Sequence, residues 1–527
     1  MPPACDKSEK KIVHFETLGC RLNQIETEGA AEFFSDYGWT VRMASCAAKD
    51  AEDFGVCLCV LNTCAVTGKA EQKARRTINL LLKKFPAAAL IVTGCYAELS
   101  AAAISAMGER VAVLPGKAKS ALSRVPEFLE RLCEGNQNFL QAQDWAAEQK
   151  RFQQPKLLAA ALREFFAEQK ASKAQDRAGG EPSQAQNAGG SDKNFLKAQD
   201  VAAEPFALNP KTFFAHSRAS IKIQDGCDNC CSYCAIHFAR GKSVSIPAAL
   251  ALERISALEE AGQSELVLTG VNIGQYKGEW RGGFVDIAGL LELILERTEK
   301  IAIRFSSVYP ETVTERFAAA IKDPRVRPHF HISVQSGSDA ILKRMNRRYT
   351  RETVIQACGR LKGAKQNPFL ACDIITGFPG ETQADFEQTL SLMKEAGFVK
   401  AHAFPFSPRP GTAAASFVPK IPERLKDERV ATLNEYSAAA KIAYINSFVG
   451  TVRPAVAESA HGSALVPQGK RLVRAVTDNF IHAEILLDQA AAAPAAGSPI
   501  MVKILSANEA AIRAGQEWEA LAELFQP

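Results

Sequence analysis

Three closely spaced cysteines in the middle of the chain are the most specific chemical pattern in the sequence. Cys227, Cys231 and Cys234 follow the spacing Cys-x-x-x-Cys-x-x-Cys within the stretch CDNCCSYC. Three thiolates on one short loop can bind three irons of a [4Fe–4S] cluster and leave the fourth iron open to a substrate or cofactor. A cluster with an open iron is suited to reductive chemistry that begins by forming a radical.

A structural zinc site is the alternative interpretation of this loop. Structural zinc usually takes four ligands that come in pairs, and no second pair follows Cys234 in the sequence. The pattern therefore favours the cluster. Cys230 lies within the same loop and would allow a shifted ligand set, but we interpret it as a packing residue.

A second set of cysteines is spread along the first hundred residues. Cys20, Cys64 and Cys95 end the stretches TLGC, NTC and TGC, and each closely follows a predicted strand. Loops at the carboxyl ends of parallel strands converge on one crevice, and Gly19 and Gly94 allow the backbone to approach closely. The three cysteines are therefore candidates for a second three-thiolate site, although an isolated cysteine is usually a small buried hydrophobic residue.

The elements that must position these cysteines begin with a first domain, residues 11–133. Short apolar runs predict strands at Ile12–Thr17, Cys57–Asn62 and Leu90–Thr93. Helical spacing between them predicts helices at Glu28–Tyr37 and Glu71–Phe85. Strands that alternate with helices indicate a parallel sheet covered by helices.

Residues 213–445 show the same alternation, so the predicted fold class is α/β and multidomain. The predicted strands of this second domain are Ser220–Gln224, Leu266–Thr269, Ile301–Ser306, Ile332–Gln335, Ala371–Thr376 and Lys400–Pro405. A series of six such strand–helix units predicts a full or partial barrel of the TIM type.

The remaining segments are predicted from composition and turn spacing. Residues 446–506 should form a small all-β barrel of the OB type that binds oligonucleotides, and residues 507–527 one amphipathic C-terminal helix. Residues 134–212 are rich in Ala, Gln, Lys, Asp and Gly, and the fragment at Asn138 recurs at Asn194. We interpret them as a low-complexity linker expanded by duplication, partly helical and partly disordered.

Composition places the chain among globular proteins. Hydrophobic residues make up 47% and charged residues 23% of the 527, and a formal net charge of +5 permits a nucleic-acid partner without requiring one. No apolar run is long enough to span a bilayer, and the charged segment Met1–Lys11 lacks a secretory core. A cytoplasmic location is therefore expected, where fourteen cysteines indicate metal ligands or catalytic groups more than disulfides.

Nine stretches, in order, resemble the methylthiotransferase family of radical S-adenosylmethionine (SAM) enzymes. They are TLGCRLN from Thr17, NTCAVT from Asn62, TGCYA from Thr93, QDGC from Gln224, LTGVNIG from Leu268, QSGSD from Gln335, MNRRY from Met345, GFPGET from Gly377 and FSPRPGT from Phe406. The resemblance implies an N-terminal methylthiotransferase domain, a radical SAM partial barrel and a C-terminal TRAM domain. These match the three predicted domains.

The same resemblance implies the cofactors and their ligands. Cys20, Cys64 and Cys95 match the ligands of an auxiliary [4Fe–4S] cluster that would carry the sulfur. The catalytic Cys227/Cys231/Cys234 cluster would bind SAM and cleave it to a 5′-deoxyadenosyl radical, with an electron from an external donor. A second SAM would supply the methyl group.

Within the family, TLGCRLN and the CSYC core resemble the branch that modifies threonylcarbamoyladenosine just 3′ of the anticodon in transfer RNA. The branch acting on isopentenyladenosine usually has GCQMN at the first cysteine, and the branch acting on a ribosomal protein also differs there. Both remain alternatives, as does a non-catalytic iron–sulfur RNA-binding protein. This sequence departs from the family at Cys230, at His237 and in its long linker.

SAM contacts are expected where barrel strands end, which is the functional face of such barrels. The candidate residues are Gly270, Val271, Asn272, Ser306, Gln335, Arg347, Gly377 and Pro379. Turn geometry alone is the alternative explanation for each of them, especially for the Gly-Pro pairs.

Two groups of basic residues are candidates for holding the anticodon arm through its phosphates. They are Lys69, Lys73, Arg75 and Arg76 on a predicted helix after Cys64, and Lys470, Arg471 and Arg474 in the predicted β-barrel. A solvated charged face is the alternative. The chain is expected to act as a monomer without a membrane partner.

Overall fold

The computed structural model describes residues 11–134, 154–178, 205–211, 218–458 and 469–525. The chain divides into two compact units. The first unit comprises residues 1–215 together with 235–241, and the second comprises 216–234 and 242–527. Among the helices described, none has both the length and the apolar character that crossing a membrane demands.

The first unit is built on a five-stranded sheet in which every pair of neighbouring strands is parallel. Its strands are β1 (Ile12–Thr17), β2 (Thr40–Met43), β3 (Val56–Thr63), β4 (Ala89–Gly94) and β5 (Val111–Val113), in the order β2-β1-β3-β4-β5. The predicted parallel sheet is thus confirmed. The sequence prediction missed β2, whose residues are partly or fully exposed, and β5, which has only three residues.

Helices pack on this sheet through apolar stripes. They are α1 (Arg21–Asp36), α2 (Gly68–Lys84), α3 (Cys95–Leu99), α4 (Ala101–Ser105), α5 (Val125–Glu134), α6 (Pro155–Ala178) and α7 (Ile236–Arg240). In α2, for example, Ala74, Ile78 and Leu81 are buried at helical spacing. The Thr67 hydroxyl caps this helix by accepting a hydrogen bond from the Ala70 amide at 3.1 Å.

Helix α6 lies inside the segment 134–212 that the sequence indicated as a linker. Leu158, Leu162 and Phe165 are buried in the core of the first unit, and the Phe165 ring stacks on Phe128 with centroids 4.5 Å apart. Arg163 donates to the carbonyl oxygen of Val111 at 2.9 Å, which ties α6 to β5. This part of the predicted linker is therefore an integral helix, because its apolar residues recur at helical spacing within an Ala-rich, Gln-rich sequence. Both copies of the repeated fragment lie outside the described residues.

The second unit contains a partial barrel of parallel strands, as predicted. Its strands are β6 (Ala219–Lys222), β7 (Gln224–Asp225), β8 (Val244–Ser245), β9 (Glu265–Thr269), β10 (Gly278–Trp280), β11 (Gly283–Val285), β12 (Ala302–Phe305), β13 (Ser307–Val308), β14 (His329–Gln335), β15 (Phe369–Thr376) and β16 (Lys400–Pro405). Parallel pairing joins β6-β9-β12 and β13-β14-β15-β16, while β7/β8 and β10/β11 are antiparallel pairs.

The two faces of the barrel sheet differ in polarity. Its helices are α8 (Ala248–Glu260), α9 (Ile287–Arg297), α10 (Glu315–Ala320), α11 (Asp339–Arg344), α12 (Arg351–Ala364), α13 (Gln383–Ala396) and α14 (Glu423–Asn446). The helix-covered face is apolar: Cys372 Sγ lies 3.5 Å from Met393 Sδ of α13, and Ala401 is fully buried. Because side chains alternate along a strand, His331, Asp373 and His402 lie on the opposite, inner face.

The C-terminal part of the second unit is a closed five-stranded barrel, in agreement with the predicted TRAM-type fold. It comprises β17 (Val452–Glu458), β18 (Lys470–Thr477), β19 (His482–Asp488), β20 (Pro499–Ala507), α15 (Glu509–Arg513) and β21 (Ala520–Leu524). The strand order is β17-β18-β19-β21-β20. This barrel closes the amino-terminal end of the inner face, where the Phe480 ring stacks on His329 with centroids 3.9 Å apart.

The prediction of one helix over residues 507–527 is wrong. Helix α15 has five residues, Gly515 follows it at φ +68, and β21 then completes the barrel. Ala and Leu favour a helix locally, which explains the error. In the folded chain β21 pairs parallel to β19 and antiparallel to β20 and leaves no open edge between them, so tertiary pairing overrides local preference.

We expect Phe165→Ala to lower the free energy of unfolding of the first unit by about 3–5 kcal/mol, because it removes a large side chain from a packed core. The matched control is Leu157→Ala on the same helix, where the side chain is 39% exposed, and it should cost less than about 1 kcal/mol. Hydrogen exchange of the α6 and β5 amides measures this unit within the full chain. Equal exchange in the two variants would contradict the packed helix.

Candidate active site

The first unit brings Cys20, Cys64 and Cys95 to one edge of its sheet. Cys20 directly precedes α1 just beyond β1, Cys64 directly follows β3, and Cys95 is the first residue of α3 after β4. These three strands are direct neighbours in the sheet. The loops therefore meet at the carboxyl ends of adjacent parallel strands, where the sequence placed them.

Two glycines allow this meeting. Gly19 has φ +110, and a Cβ atom there would lie 2.6 Å from Cys64 Cβ. Gly94 has φ +100, and a Cβ atom there would lie 2.3 Å from the carbonyl oxygen of Thr63. Both positions combine a left-handed backbone with a close contact, so only glycine fits either of them.

Asn23 connects the loops of β1 and β3, a role that the sequence analysis missed. Its buried amide donates to the carbonyl oxygens of Leu18 at 2.9 Å and Thr63 at 3.0 Å. The side-chain amide of Asn62 in turn donates to the backbone carbonyl oxygen of Asn23 at 3.0 Å. The signal available in the sequence was a pair of amide side chains beside two of the cysteines.

Electrostatics show that the three thiols influence one another. The pKa of the Cys64 thiol is raised to about 11, mainly by burial and also by the neighbouring Cys20 and Cys95, while the Val66 backbone and Arg240 of α7 act to lower it. Desolvation by surrounding protein atoms also raises the pKa of Cys20, although the residue keeps contact with solvent, and Arg240 acts against this rise. The Arg240 guanidinium donates to Asn23 Oδ1 at 2.9 Å and to Glu26 Oε1 at 3.0 Å. These bonds hold its positive charge near Cys20 and Cys64, where it would stabilise thiolates.

The second unit carries the Cys227, Cys231 and Cys234 loop directly after β7. The loop is held from behind: the Ser232 amide donates to the Met345 carbonyl at 3.0 Å, and the Ala414 amide donates to the Ser232 carbonyl at 2.7 Å. The prediction that Cys230 packs is wrong, since its side chain is exposed. The chain tethers Cys230 through its carbonyl oxygen instead, which accepts from the Asn346 amide at 2.7 Å.

Arg347 stands beside this loop within a group of three tyrosines. Its guanidinium carbon lies 5.1 Å from the ring centroid of Tyr309 and 5.6 Å from those of Tyr233 and Tyr349. Its Nε and Nη1 atoms are buried and have no hydrogen-bond partner among the described residues. Arg347 also acts electrostatically on Cys227, whose pKa it lowers against the effect of burial. The guanidinium is thus a cation with free donors next to the cysteine loop.

Asn272 and Gly270 are positioned by the buried Gln224, a role that its place in the stretch QDGC did not indicate. Gln224 Oε1 accepts a hydrogen bond from the backbone N–H of Asn272 at 2.8 Å. A Cβ on Gly270 would lie 2.9 Å from the same oxygen. The Asn272 side chain hydrogen-bonds Cys227 and lowers its pKa. Val271 lies between these two residues and is partly exposed.

The other candidate SAM contacts fall into two groups. Ser306 Oγ is buried without a hydrogen-bond partner among the described residues, and Gln335 has φ +70, a strained conformation typical of functional sites. Gly377 and Pro379 instead make turn contacts: the Gly377 amide donates to Glu381 at 2.6 Å, and the Pro379 carbonyl accepts from Arg344 at 3.1 Å. The structure therefore associates Asn272 and Arg347 most directly with the cysteine loop.

The chemistry of the donors fits iron–sulfur clusters at both places, since each offers three thiols from loops at strand ends. Over the described ranges, no three or more His, Cys, Asp or Glu side chains are grouped so as to hold a metal ion. Thiolates of a cube-shaped cluster each bind a different iron, so they need not converge on one point.

The basic residues occupy different settings. Lys69, Lys73, Arg75 and Arg76 are exposed on α2, and Arg75 donates to the Tyr96 hydroxyl at 3.0 Å. In the C-terminal barrel, two of the three candidates are paired with carboxylates, Lys470 with Asp488 at 2.7 Å and Arg474 with Glu484 at 3.6 Å. Arg471 is partly buried there.

Comparison with known proteins gives consistent matches. A family model described as the radical SAM superfamily matches residues 221–393, and one described as uncharacterized protein family UPF0004 matches residues 12–116. "Threonylcarbamoyladenosine tRNA methylthiotransferase MtaB" of Treponema pallidum (strain Nichols) is 41% identical over 516 residues, covering 95% of this chain and 99% of that protein. The protein of the same name from Thermotoga maritima is 31% identical, covering 85% of this chain and 87% of that protein. Among solved structures, the radical SAM methyltransferase TsrM from Kitasatospora setae matches with a TM-score of 0.45 at 12% identity and covers 77% of each chain.

The parallel partial barrel, its three-cysteine loop and the superfamily match together define a radical SAM enzyme. More narrowly, the chain belongs to the threonylcarbamoyladenosine tRNA methylthiotransferase family. The resemblance inferred from the nine sequence stretches is thereby confirmed, and SAM and [4Fe–4S] clusters are the cofactors of this enzyme.

We expect Gly19→Ala to abolish the N-terminal cluster, because the added Cβ would overlap Cys64 Cβ. After anaerobic reconstitution, iron and sulfide analysis should give about eight irons for the unchanged protein and about four for the variant. Gly38→Ala is the matched control: Gly38 also has a positive φ of +75, but a Cβ there meets nothing within 4 Å. Full iron content in Gly19→Ala would argue against a cluster at Cys64.

Proposed function

We propose that this chain adds a methylthio group to C2 of threonylcarbamoyladenosine next to the anticodon of transfer RNA. The observation that carries the proposal is the 41% identity, over 95% of the chain, to a relative named for this activity. Two separate three-cysteine sets at strand ends support it. When bound, the clusters and SAM supply the electron transfer, radical, sulfur and methyl group that substitution at an unactivated aromatic C–H requires.

In this proposal the chain's own residues hold and orient the cofactors. Cys227, Cys231 and Cys234 hold the SAM-binding cluster, and Cys20, Cys64 and Cys95 hold the auxiliary cluster. The amino-acid part of SAM would lie against the segment from Gly270 to Asn272. Gln224 fixes the two ends of this segment, and Val271 between them is partly exposed. The Arg347 guanidinium offers its free donors to an anionic group there.

Ser306 and Gln335 complete the proposed SAM pocket at the ends of their strands. Gly377 and Pro379 shape the turn that supports it, since Phe378 between them packs its ring 6.3 Å from that of Tyr233 in the cysteine loop. Cleavage of SAM consumes an electron, so an external donor is part of the proposal. We take the enzyme to act as a monomer in the cytoplasm.

We expect the triple variant Cys20→Ala/Cys64→Ala/Cys95→Ala to retain about four irons and to cleave SAM, yet to form no methylthio product on threonylcarbamoyladenosine-containing transfer RNA. Nucleoside mass spectrometry measures the product, and 5′-deoxyadenosine measures SAM cleavage. Cys46→Ala, a cysteine of the same unit outside both sets, is the control and should keep about eight irons.

The same assay separates the rival functions. If methylthio product forms on isopentenyladenosine transfer RNA or on a ribosomal protein, and none forms on threonylcarbamoyladenosine, the proposed substrate is wrong and the modified molecule is the substrate instead. A reconstituted protein that binds RNA and never cleaves SAM would favour the non-catalytic alternative.

Helix α2 is the surface that we propose for the anticodon arm. Lys69, Lys73 and Arg76 are exposed at i, i+4 and i+7, so they lie along one stripe of the helix that starts four residues after Cys64. In the described residues none of the three has an ion-pair partner. The barrel residues Lys470 and Arg474 are proposed only as secondary contacts, because carboxylates already neutralise them.

We expect Lys73→Gln/Arg76→Gln to weaken binding of the transfer RNA and to reduce the slope of log K against log salt by about two, one for each lost phosphate contact. Lys83→Gln, exposed near the far end of the same helix, is the matched control and should leave the slope unchanged. An unchanged slope in the double variant would move the RNA surface away from α2.

A further inference from the structure

The inner face of the partial barrel carries a row of polar side chains that the proposed cofactor sites do not use. His331 on β14, Asp373 on β15 and His402 on β16 form this row, which we call the polar ledge. His331 Nε2 lies 3.0 Å from Asp373 Oδ1, and the His331 and His402 rings stack with centroids 5.0 Å apart. Asp373 and His402 are direct partners in the strand register.

The polar ledge is accessible and has unused hydrogen-bonding capacity. The side chains of His331 and Asp373 are 19% and 26% exposed, and His402 is exposed. Despite its short distance to Asp373, His331 Nε2 makes no hydrogen bond of acceptable angle with any described residue, although the atom is buried. A buried polar atom whose contact with its neighbour is not a directed hydrogen bond is poorly satisfied, so the ledge is suited to a polar group that enters from the strand ends.

The depth of the ledge matches a substituent that points away from the reacting carbon. His331 pairs with Ala371 and Gln335 at the strand end pairs with Ile374, with a register shift in β14 between them, so the two residues are three steps of β15 apart, about 10 Å at the usual rise per residue. Below the ledge, His329 and Phe480 close the inner face. The guanidinium carbon of Arg304 lies 5.2 Å from the centroid of the Phe480 ring. In adenine, N6 and C2 lie on either side of N1. A base whose C2 faces the cluster at the strand ends can therefore extend its N6 group toward the ledge.

We propose that the polar ledge binds the threonyl part of the N6 group and so selects threonylcarbamoyladenosine over an adenosine with an alkyl N6 group. This inference rests on the proposed function. The two imidazoles provide donors for the carboxylate, and Asp373 accepts from the hydroxyl or a ureido N–H. Lys400, two residues before His402 on the same face of β16, adds positive charge.

Discrimination follows from the unpaired groups. An alkyl substituent would occupy the same space without bonding to the imidazoles or to Asp373 and would remove them from water. Sites built to hydrogen-bond a polar substituent reject analogues that lack it far more strongly than apolar pockets reject an added methylene group. The ledge is thus a specificity determinant, while the cysteine loops carry the chemistry.

The test is binding of anticodon stem-loop RNAs to the full chain, reconstituted anaerobically and saturated with SAM. The three RNAs carry threonylcarbamoyladenosine, isopentenyladenosine or unmodified adenosine at one position. We expect the unchanged protein to prefer the first RNA by about ten- to a hundredfold. The variant His331→Leu/His402→Leu should bind all three alike, and Asp373→Asn should lose part of the preference. The matched control Asp427→Asn, exposed on α14, should keep it.

Two results would overturn the inference. One is that the unchanged protein does not prefer the threonylcarbamoyladenosine RNA. The other is that the double variant, with full iron content, still prefers this RNA. If the double variant loses iron, the conservative His402→Gln and Asp373→Asn decide the matter in the same assay, and an undiminished preference in both overturns the inference. Turnover is scored separately. An unchanged protein that prefers the first RNA but forms no methylthio product would contradict the proposed function while leaving the ledge intact.

Discussion

The close approach of three strand ends around Cys64 is the constraint on which the first unit depends. Ligands that come from three separate strands can meet only if the backbones between them nearly touch. Gly19 and Gly94 permit this because each has a positive φ and no Cβ, and Asn23 holds two of the loops together through their carbonyl oxygens. The parallel sheet supplies the common edge, and helices pack on both of its faces.

The second unit solves the same problem differently, with all three cysteines on one loop. A short loop needs support from behind, and it receives this from Ser232, which bonds the backbone at the end of α11, and from the packing of Phe378 against Tyr233. The stretch GFPGET, which sequence comparison would associate with cofactor contact, thus also holds the cysteine loop. Its Glu381 is buried against Arg429, which fixes the turn.

The two faces of the barrel strands have different properties. The outer face is apolar and binds the helices, whereas the inner face carries His331, Asp373 and His402 above a floor formed with Phe480 of the C-terminal barrel. Side-chain alternation along β14, β15 and β16 produces both properties from the same strands. Stability and the substrate recognition that we propose would therefore belong to alternate residues of the same strands.

Sequence alone determined the strand–helix alternation and the family, and it predicted the ligand sets, because cysteine spacing and hydrophobic periodicity are local signals. Tertiary structure decided what depends on distant partners. Ala520–Leu524 has helix-forming residues but closes a barrel as β21, and Leu158 and Phe165 join a core although their surroundings resemble a linker. The positioning roles of Gln224 and Asn23, and the grouping of the polar ledge, were missed for the same reason: they depend on neighbours far away in the chain, which only the folded backbone brings into contact.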